Sequence, residues 1–371
     1  MIPINEKMLS FGEHRSVIRD VFEYGNERRK KVGKENVFDF SIGNPSVPAP
    51  REVTEALEAL LRRDPCEVHG YTSAAGDPSV RDAVASYLNE KFGSKMSGDN
   101  IYMTCGAAAS LTLTLNAVIN GGDEVILFAP YFPEYLVFAE KAGADVVCVK
   151  CRENDLTIDV SRFEKAISPK TKAVIINSPN NPTGVVISEE TLSALAHVLK
   201  KKSDEYGHII YLISDEPYRE LVYDENTKVP FVPDYYGETV ICYSFSKSLS
   251  LPGERIGYVA VSERATDWKT LFSAICGAGR ALGYVCAPSI FQKIIPSCLG
   301  KTADLSIYKK NRDILVRALK EYGYSLASPD GAFYLFVKSP ENDATAFCER
   351  AKSTIFYSFR ATDSATTDTR E

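Results

Sequence analysis

Residues 171–184 read TKAVIINSPNNPTG, and the change of character in mid-stretch decides the fold. Ala173 to Ile176 are apolar in succession, with no polar residue alternating between them, so a strand here must hide both of its faces. Asn177 to Gly184 then follow as turn chemistry, since the prolines fix the backbone and Asn and Gly accept turn conformations. Six more β-branched runs share this form: NIYMTCG (100–106), DEVILFAP (123–130), ADVVCVK (144–150), IIYLISDEP (209–217), ETVICYSFS (238–246) and IGYVAVS (256–262). Longer segments of helical character separate them. Strands of this kind need cover on both faces, so the sequence predicts an α/β architecture of three layers around a mostly parallel seven-stranded sheet. Val53, Ala56, Leu57, Leu60 and Leu61, spaced as one helical face after Pro50, supply one covering helix. Further on, ILVRALKEYGYSLASPDGAFYLFVK (314–338) reads as a helix, a turn and a strand. It would open a second, smaller α+β domain.

Composition narrows the function. The 371 residues are 44% hydrophobic and 25% charged, which suits one large and one smaller globular domain rather than a disordered chain. A formal net charge of −6 disfavours nucleic acid and anionic membranes, both of which call for a basic surface. Small molecules are the expected partners. No apolar stretch is long enough to span a membrane, and MIPINEKMLSFGEHR lacks a signal-peptide core, so a cytoplasmic location is expected. The nine cysteines lie scattered in apolar runs rather than in a disulfide frame. Cys148 and Cys151 form the one CxxC, but an odd separation along a strand sends their side chains to opposite faces, and no metal site is expected.

In an open α/β sheet, ligands bind beyond the carboxyl ends of the strands. Cys105, Gly106, Ala107 and Ala108 end one run and open a helix, where small residues and free N–H groups suit an anion. A plain strand-to-helix turn would read the same. Asn181 stands in the proline-rich turn. Asp215 ends another run, with Tyr218 three residues on. A carboxylate placed there needs a cation or strong hydrogen bonds. Lys247 follows a buried run in YSFSKSLSLPGERIGY (243–258), eight residues before Arg255. A desolvated lysine at a cleft mouth can form a Schiff base with a carbonyl, although a solvated strand-end lysine is the simpler alternative.

Taken in order, YTSAAGDPSVR, TCGAAASL, APYFPEY, NSPNNPTG, SDEPYRELVYD and SFSKSLSLPGERIGY resemble the class I/II aminotransferases among the fold-type I pyridoxal-phosphate enzymes. The likeness runs from about residue 38 to about residue 352. It implies the PLP-transferase fold, pyridoxal 5'-phosphate as cofactor, and transfer of an amino group from an L-amino acid to a 2-oxo acid, as in aspartate aminotransferases. Lys247 would hold the cofactor and carry the substrate proton, Asp215 would pair with the ring nitrogen, and Asn181 and Tyr218 would bond the ring's phenolic oxygen. Phe132 would stack on the ring. Gly106, Ala107 and Ala108, with Ser244 and Arg255, would bind the phosphate, and Gly43 would belong to a loop that closes over substrate. Tyr71 would reach the phosphate of a neighbouring subunit, which implies a homodimer. Other reactions of this cofactor, such as a C–S lyase, and a cofactor-binding protein with impaired turnover are the alternatives. A nicotinamide enzyme is disfavoured, since no GxGxxG opens the first strand-to-helix unit.

The expected organisation is an N-terminal arm with part of the small domain (1–45), a large cofactor-binding domain (46–285), a small C-terminal domain (286–352) and an aberrant tail (353–371). That tail, STIFYSFRATDSATTDTRE, has no periodicity of helix or strand. Read one base earlier, its codons permit KHDILLVPGDxFGxxGYxR, with the strand, turn and carboxylate-binding arginine that the resemblance leads one to expect. The tail is therefore expected to be a disordered frameshift product, leaving the small domain incomplete and substrate carboxylate binding weakened.

Overall fold

The seven apolar runs form one sheet in the computed structural model, which describes residues 3–13, 17–40, 43–352 and 356–357. A two-residue strand, β1 (Phe38–Asp39), comes first. The sheet then takes β2 (Ile101–Thr104), β3 (Glu124–Ala129), β4 (Asp145–Lys150), β5 (Thr171–Asn177), β6 (Tyr211–Asp215), β7 (Thr239–Ser244) and β8 (Gly257–Val261) in the order β2-β8-β7-β6-β5-β3-β4. Strands β3 to β7 are parallel, and β8 runs antiparallel to both of its neighbours. The register pairs Asn177 with Asp215, and Asp215 with Cys242, along one edge. The carboxyl ends of three strands therefore open side by side.

Strand geometry sends neighbours to opposite faces, and the two covering layers divide β5 accordingly. Val174 and Ile176 pack with Leu192, Leu195 and Leu199 of the helix Glu189–Tyr206. Ala173 and Ile175 pack instead with Leu111 and Leu115 of the helix Ala107–Val118. Each fully buried Leu or Ile contributes about 1.5–3 kcal/mol, so the apolar run is held from both sides. Farther out, the predicted helix forms as Arg51–Leu61, burying Val53 and Leu60 while Leu61 stays exposed. The helix Ser289–Cys298 joins it, placing Ile294 and Ile295 in one cluster with Val53, Leu60 and Leu88.

The C-terminal stretch differs from expectation in one element. The helix forms as Leu305–Glu321, but GAFYLFVK makes only isolated bridges, Val222 to Gly331 and Leu326 to Val337. No ladder lies beside it among the described residues, and Phe333 and Tyr334 pack on Tyr218 and Leu221 of the large sheet's loops instead. After the helix Ala344–Lys352, Phe356–Tyr357 (β9) pairs in parallel with β1. The remaining residues of 353–371, on which the frameshift expectation falls, lie outside the described residues. Among the described residues no helix is long and apolar enough to cross a membrane.

Candidate functional site

Asp215 is the last residue of β6 and is 5% exposed. Its Oδ2 accepts a hydrogen bond from the Tyr135 hydroxyl at 2.5 Å. Its Oδ1 is buried without a hydrogen-bond partner among the described residues. Burial pushes the carboxyl up to about 7, and the Tyr135 bond only partly offsets this. A carboxylate in this state lacks a cationic donor on its open oxygen. The backbone around it is fixed, for Asn177 donates from Nδ2 to the Asp215 carbonyl at 2.8 Å and accepts from the Asn181 N–H at 2.6 Å. Asn181 thereby sits over the same strand ends, in the turn foreseen from its prolines.

Lys247 lies in the short helix Phe245–Ser248, which Ser244 caps by accepting the Ser246 N–H at 3.2 Å. Its Nζ donates to the Gly43 carbonyl at 2.5 Å and stands 5.3 Å from the centre of the Phe333 ring. Burial lowers the ammonium to about 8, and the nearby Arg255 charge lowers it further in the same direction. A bland solvated lysine would show none of this. A far larger share of the amine is therefore free at neutral pH than for an exposed lysine, and the free amine is the form a carbonyl-trapping nucleophile requires.

Gly43 and Tyr218 are joined through a residue the motifs did not mark. The Tyr218 hydroxyl shares a 2.7 Å bond with the Tyr334 hydroxyl, and the nearby Asn181 side chain favours the ionised form of Tyr218 against the effect of burial. A Cβ on Gly43 would stand 2.3 Å from the Tyr334 hydroxyl oxygen, so only glycine lets the N-terminal loop lie so close. At the other end of the cleft Gly106 caps the helix Ala107–Val118 with φ 86°. A Cβ there would stand 2.9 Å from Nη2 of Arg255. Ala107 and Ala108 form the first turn, so free N–H groups and a guanidinium converge on one point, as an anion site requires. Arg255 is itself at φ 52° and donates to the Pro252 carbonyl at 2.8 Å.

The structure therefore brings Gly43, Gly106, Ala107, Ala108, Asn181, Asp215, Tyr218, Ser244, Lys247 and Arg255 to one edge of the sheet. Phe132 joins them through its edge-on contact with Tyr135, at 5.6 Å between ring centres. The Ser244 hydroxyl also bonds that of Ser246 at 2.7 Å. Tyr71 stands apart: it is 100% exposed and touches none of these groups within the one chain. Tyr135, Asn177, Phe333 and Tyr334 are the members that sequence reasoning missed. Tyr135 lay inside the quoted APYFPEY, three residues from Phe132, where a turn closes between the two at 3.0 Å from the Tyr135 N–H to the Phe132 carbonyl. Among the described residues no cluster of His, Cys, Asp or Glu could hold a metal ion.

These residues fit a group with a phosphate at one end, a carbonyl within reach of Lys247 and a protonated ring nitrogen for the open oxygen of Asp215. The family model for aminotransferase class I and II matches residues 35–357. An aspartate aminotransferase from Thermotoga maritima is 33% identical over 332 residues, which cover 85% of this chain and 80% of that protein. The valine–pyruvate aminotransferase of Mycobacterium tuberculosis is 30% identical, over 90% of this chain and 84% of that one. A crystal structure of an aminotransferase from Eubacterium rectale superimposes with a TM-score of 0.92 at 54% identity, covering 95% of this chain and 89% of that chain.

Proposed function

The chain belongs to the class I and II aminotransferases, enzymes that work with pyridoxal 5'-phosphate, and on that premise we propose that it moves an amino group from an L-amino acid to a 2-oxo acid in the manner of the aspartate aminotransferases. The observation that carries the reading is the open Oδ1 of Asp215, buried at a strand end on the same sheet edge as Lys247, whose ammonium is destabilised by burial. When bound, the cofactor supplies an electron sink for the charge that develops on the substrate's Cα.

The roles of this chain's residues follow from their positions. Lys247 would hold the group covalently and, once freed by the substrate amine, remove and return a proton at the substrate Cα. Its bond to the Gly43 carbonyl orients the amine, and Phe333 beside it keeps water away. Asp215 would hold the ring nitrogen protonated through Oδ1, while Asn181 and Tyr218 would direct donors at the ring's phenolic oxygen. Phe132 would lie against the ring face. Gly106, Ala107 and Ala108 would offer N–H groups to the phosphate, with Arg255 as a two-pronged cation and Ser244 as a hydroxyl.

Residues 46–285 are proposed as the cofactor-binding unit and 286–352 as the smaller domain. The full exposure of Tyr71 supports a homodimer in which it reaches the neighbour's phosphate, since nothing among the described residues of its own chain covers it. Sedimentation decides the dimer: Tyr71→Phe should raise the cofactor's dissociation constant about 10- to 100-fold, the value of one hydrogen bond to a charged group, without changing the molecular mass. A purely monomeric and fully active protein would end that reading.

Relatives of similar identity carry names with different donors, so the donor is decided by a panel of amino acids with 2-oxoglutarate. Peptide mapping after borohydride reduction should place the pyridoxyl label on Lys247. A label on another lysine overturns the site. A second reading, binding with weakened turnover, rests on the sequence of 353–371, which outside Phe356–Tyr357 is not among the described residues and which lacks the GYxR-like segment. In that case the label forms normally but turnover is slow with every donor, whereas a C–S lyase releases a thiol and no amino product.

A further inference from the structure

We propose that Tyr135 is a positioning residue for this reaction: its phenol grips the Asp215 carboxylate by Oδ2 so that Oδ1 is presented unpaired to the cofactor's ring nitrogen. This rests on the reading of the site given above. It assigns a task to a residue that the motif roles leave idle.

Three observations carry it. The bond is short, 2.5 Å from the Tyr135 hydroxyl to Oδ2, and both partners are buried. One carboxylate oxygen is thus fixed while its twin has no partner among the described residues, and rotation about the carboxylate would break the bond that exists. The groups that face Asp215 from the other elements cannot replace Tyr135. Cys242 on β7, Tyr218 in the loop after β6 and Tyr334 of the C-terminal segment all feel the Asp215 charge, and burial raises each of them above its ordinary range, so all three are uncharged at neutral pH and offer the carboxylate no counter-charge. Asn177 bonds the Asp215 backbone carbonyl rather than its carboxylate. Before the cofactor arrives, the support for the anion among the recorded side-chain bonds is therefore the Tyr135 hydroxyl.

The mounting of Tyr135 suits the task. Its N–H closes a turn onto the Phe132 carbonyl, and its ring meets Phe132 edge-on at an interplanar angle of 85°. The residue proposed to lie against the ring face and the one that sets the carboxylate are thus carried by a single turn at the start of the helix Glu134–Ala142. Burial holds the Tyr135 phenol well above its usual range, so it stays a donor throughout the working pH range.

Tyr135→Phe removes one oxygen and keeps the ring. In the cofactor-free protein, with carboxyl-labelled aspartate followed by carbon-13 NMR, the Asp215 midpoint of about 7 should rise by at least about one unit, the scale of a hydrogen bond to a charged group. With nitrogen-15-labelled cofactor bound, the ring-nitrogen resonance should move toward its unprotonated position. kcat should fall about 10-fold with KM changed less than about 2-fold. In an Asp215→Asn background the same change should have no further effect, because Tyr135 acts through Asp215. An unmoved carboxyl midpoint, or an equal loss of kcat in both backgrounds, overturns the proposal. If Tyr135→Phe does not fold, a fluorotyrosine placed at 135 should lower the midpoint by strengthening the donor, and an unmoved midpoint again overturns it. Failure of borohydride to fix the cofactor to Lys247 in the unaltered protein would instead sink the underlying reading, while the cofactor-free titration would still decide whether Tyr135 holds Asp215.

Discussion

Asp215 and Arg255 stand on the same edge of one sheet, and each is proposed to hold one end of the same cofactor, yet their surroundings are opposite. Asp215 is buried, gripped by Tyr135 and backed by Asn177. Arg255 lies exposed on a loop, tied to Pro252 and leaning on the bare Cα of Gly106. Burial makes the deep end an electrostatic device, because a charge in a dry pocket is worth far more than one in water. Exposure makes the rim a matter of fit, where several weak donors around a glycine accept a multivalent anion and salt screens each of them. Chemistry should therefore answer to changes at the deep end, and affinity to changes at the rim.

The largest test of that division is Lys247→Ala. Turnover should fall at least about 10⁴-fold, since both the covalent hold and the proton carrier are lost, and borohydride should no longer attach the cofactor. Retention of substantial turnover in a steady-state assay would break the comparison at its root.

Gly106→Val addresses the rim. Its Cβ would enter the space of the Arg255 guanidinium at 2.9 Å, in a backbone conformation of φ +86° that valine strongly resists. Equilibrium titration should show the cofactor's dissociation constant raised about 10- to 100-fold, the cost of a displaced charged hydrogen-bond donor. kcat at saturating cofactor should change little. A large fall in kcat with unchanged affinity would mean that the rim, too, governs the chemistry.

The smallest effect is one of stability and has a definite sign in pH. Asp215 goes from an ordinary value of 3.8 to about 7 in the folded, cofactor-free protein. Its folded form therefore holds the proton more tightly, and the cost of its buried charge grows as pH rises from 3.8 and is complete above about 7. Asp215→Asn should accordingly raise the Tm of the cofactor-free protein by several degrees near pH 8 and hardly at all near pH 4. Lys247 runs the other way: its cost is complete below about 8 and is relieved as pH rises toward 10.5. Equal shifts in Tm at both pH values for Asp215→Asn would show that the carboxylate is not stored as a buried charge.

The same contrast between deep and exposed regions explains what could be read in advance. The seven strands were visible because strands covered on both faces must be apolar without interruption, as in AVII of β5 and VILF of β3. Asp215 drew notice because it ended such a run, Lys247 because it followed one, and Asn181 because it stood in the proline-rich turn after another. Tyr135 and Tyr334 were not, since an aromatic residue in an apolar stretch looks like core until its hydroxyl is seen to have a polar partner. GAFYLFVK misled for a related reason. Its composition is that of a strand, but a strand needs a neighbour, and the described chain gives it single bridges and uses its aromatics to pack on Tyr218.

The contact between Gly43 and Tyr334 has a bearing on how the enzyme comes into being. Lys247 rests on a carbonyl from the first stretch of the chain, and that stretch is pressed by an aromatic near its last. On a ribosome, the sheet and its lysine emerge well before Tyr334 does, and domains generally fold as they appear. For that interval the amine has its sheet but not its cover, exposed to any aldehyde in the surroundings. The closing of Gly43 and Tyr334 over it is thus an act of maturation, and nascent chains halted just before residue 331 should trap small aldehydes faster than the finished protein does.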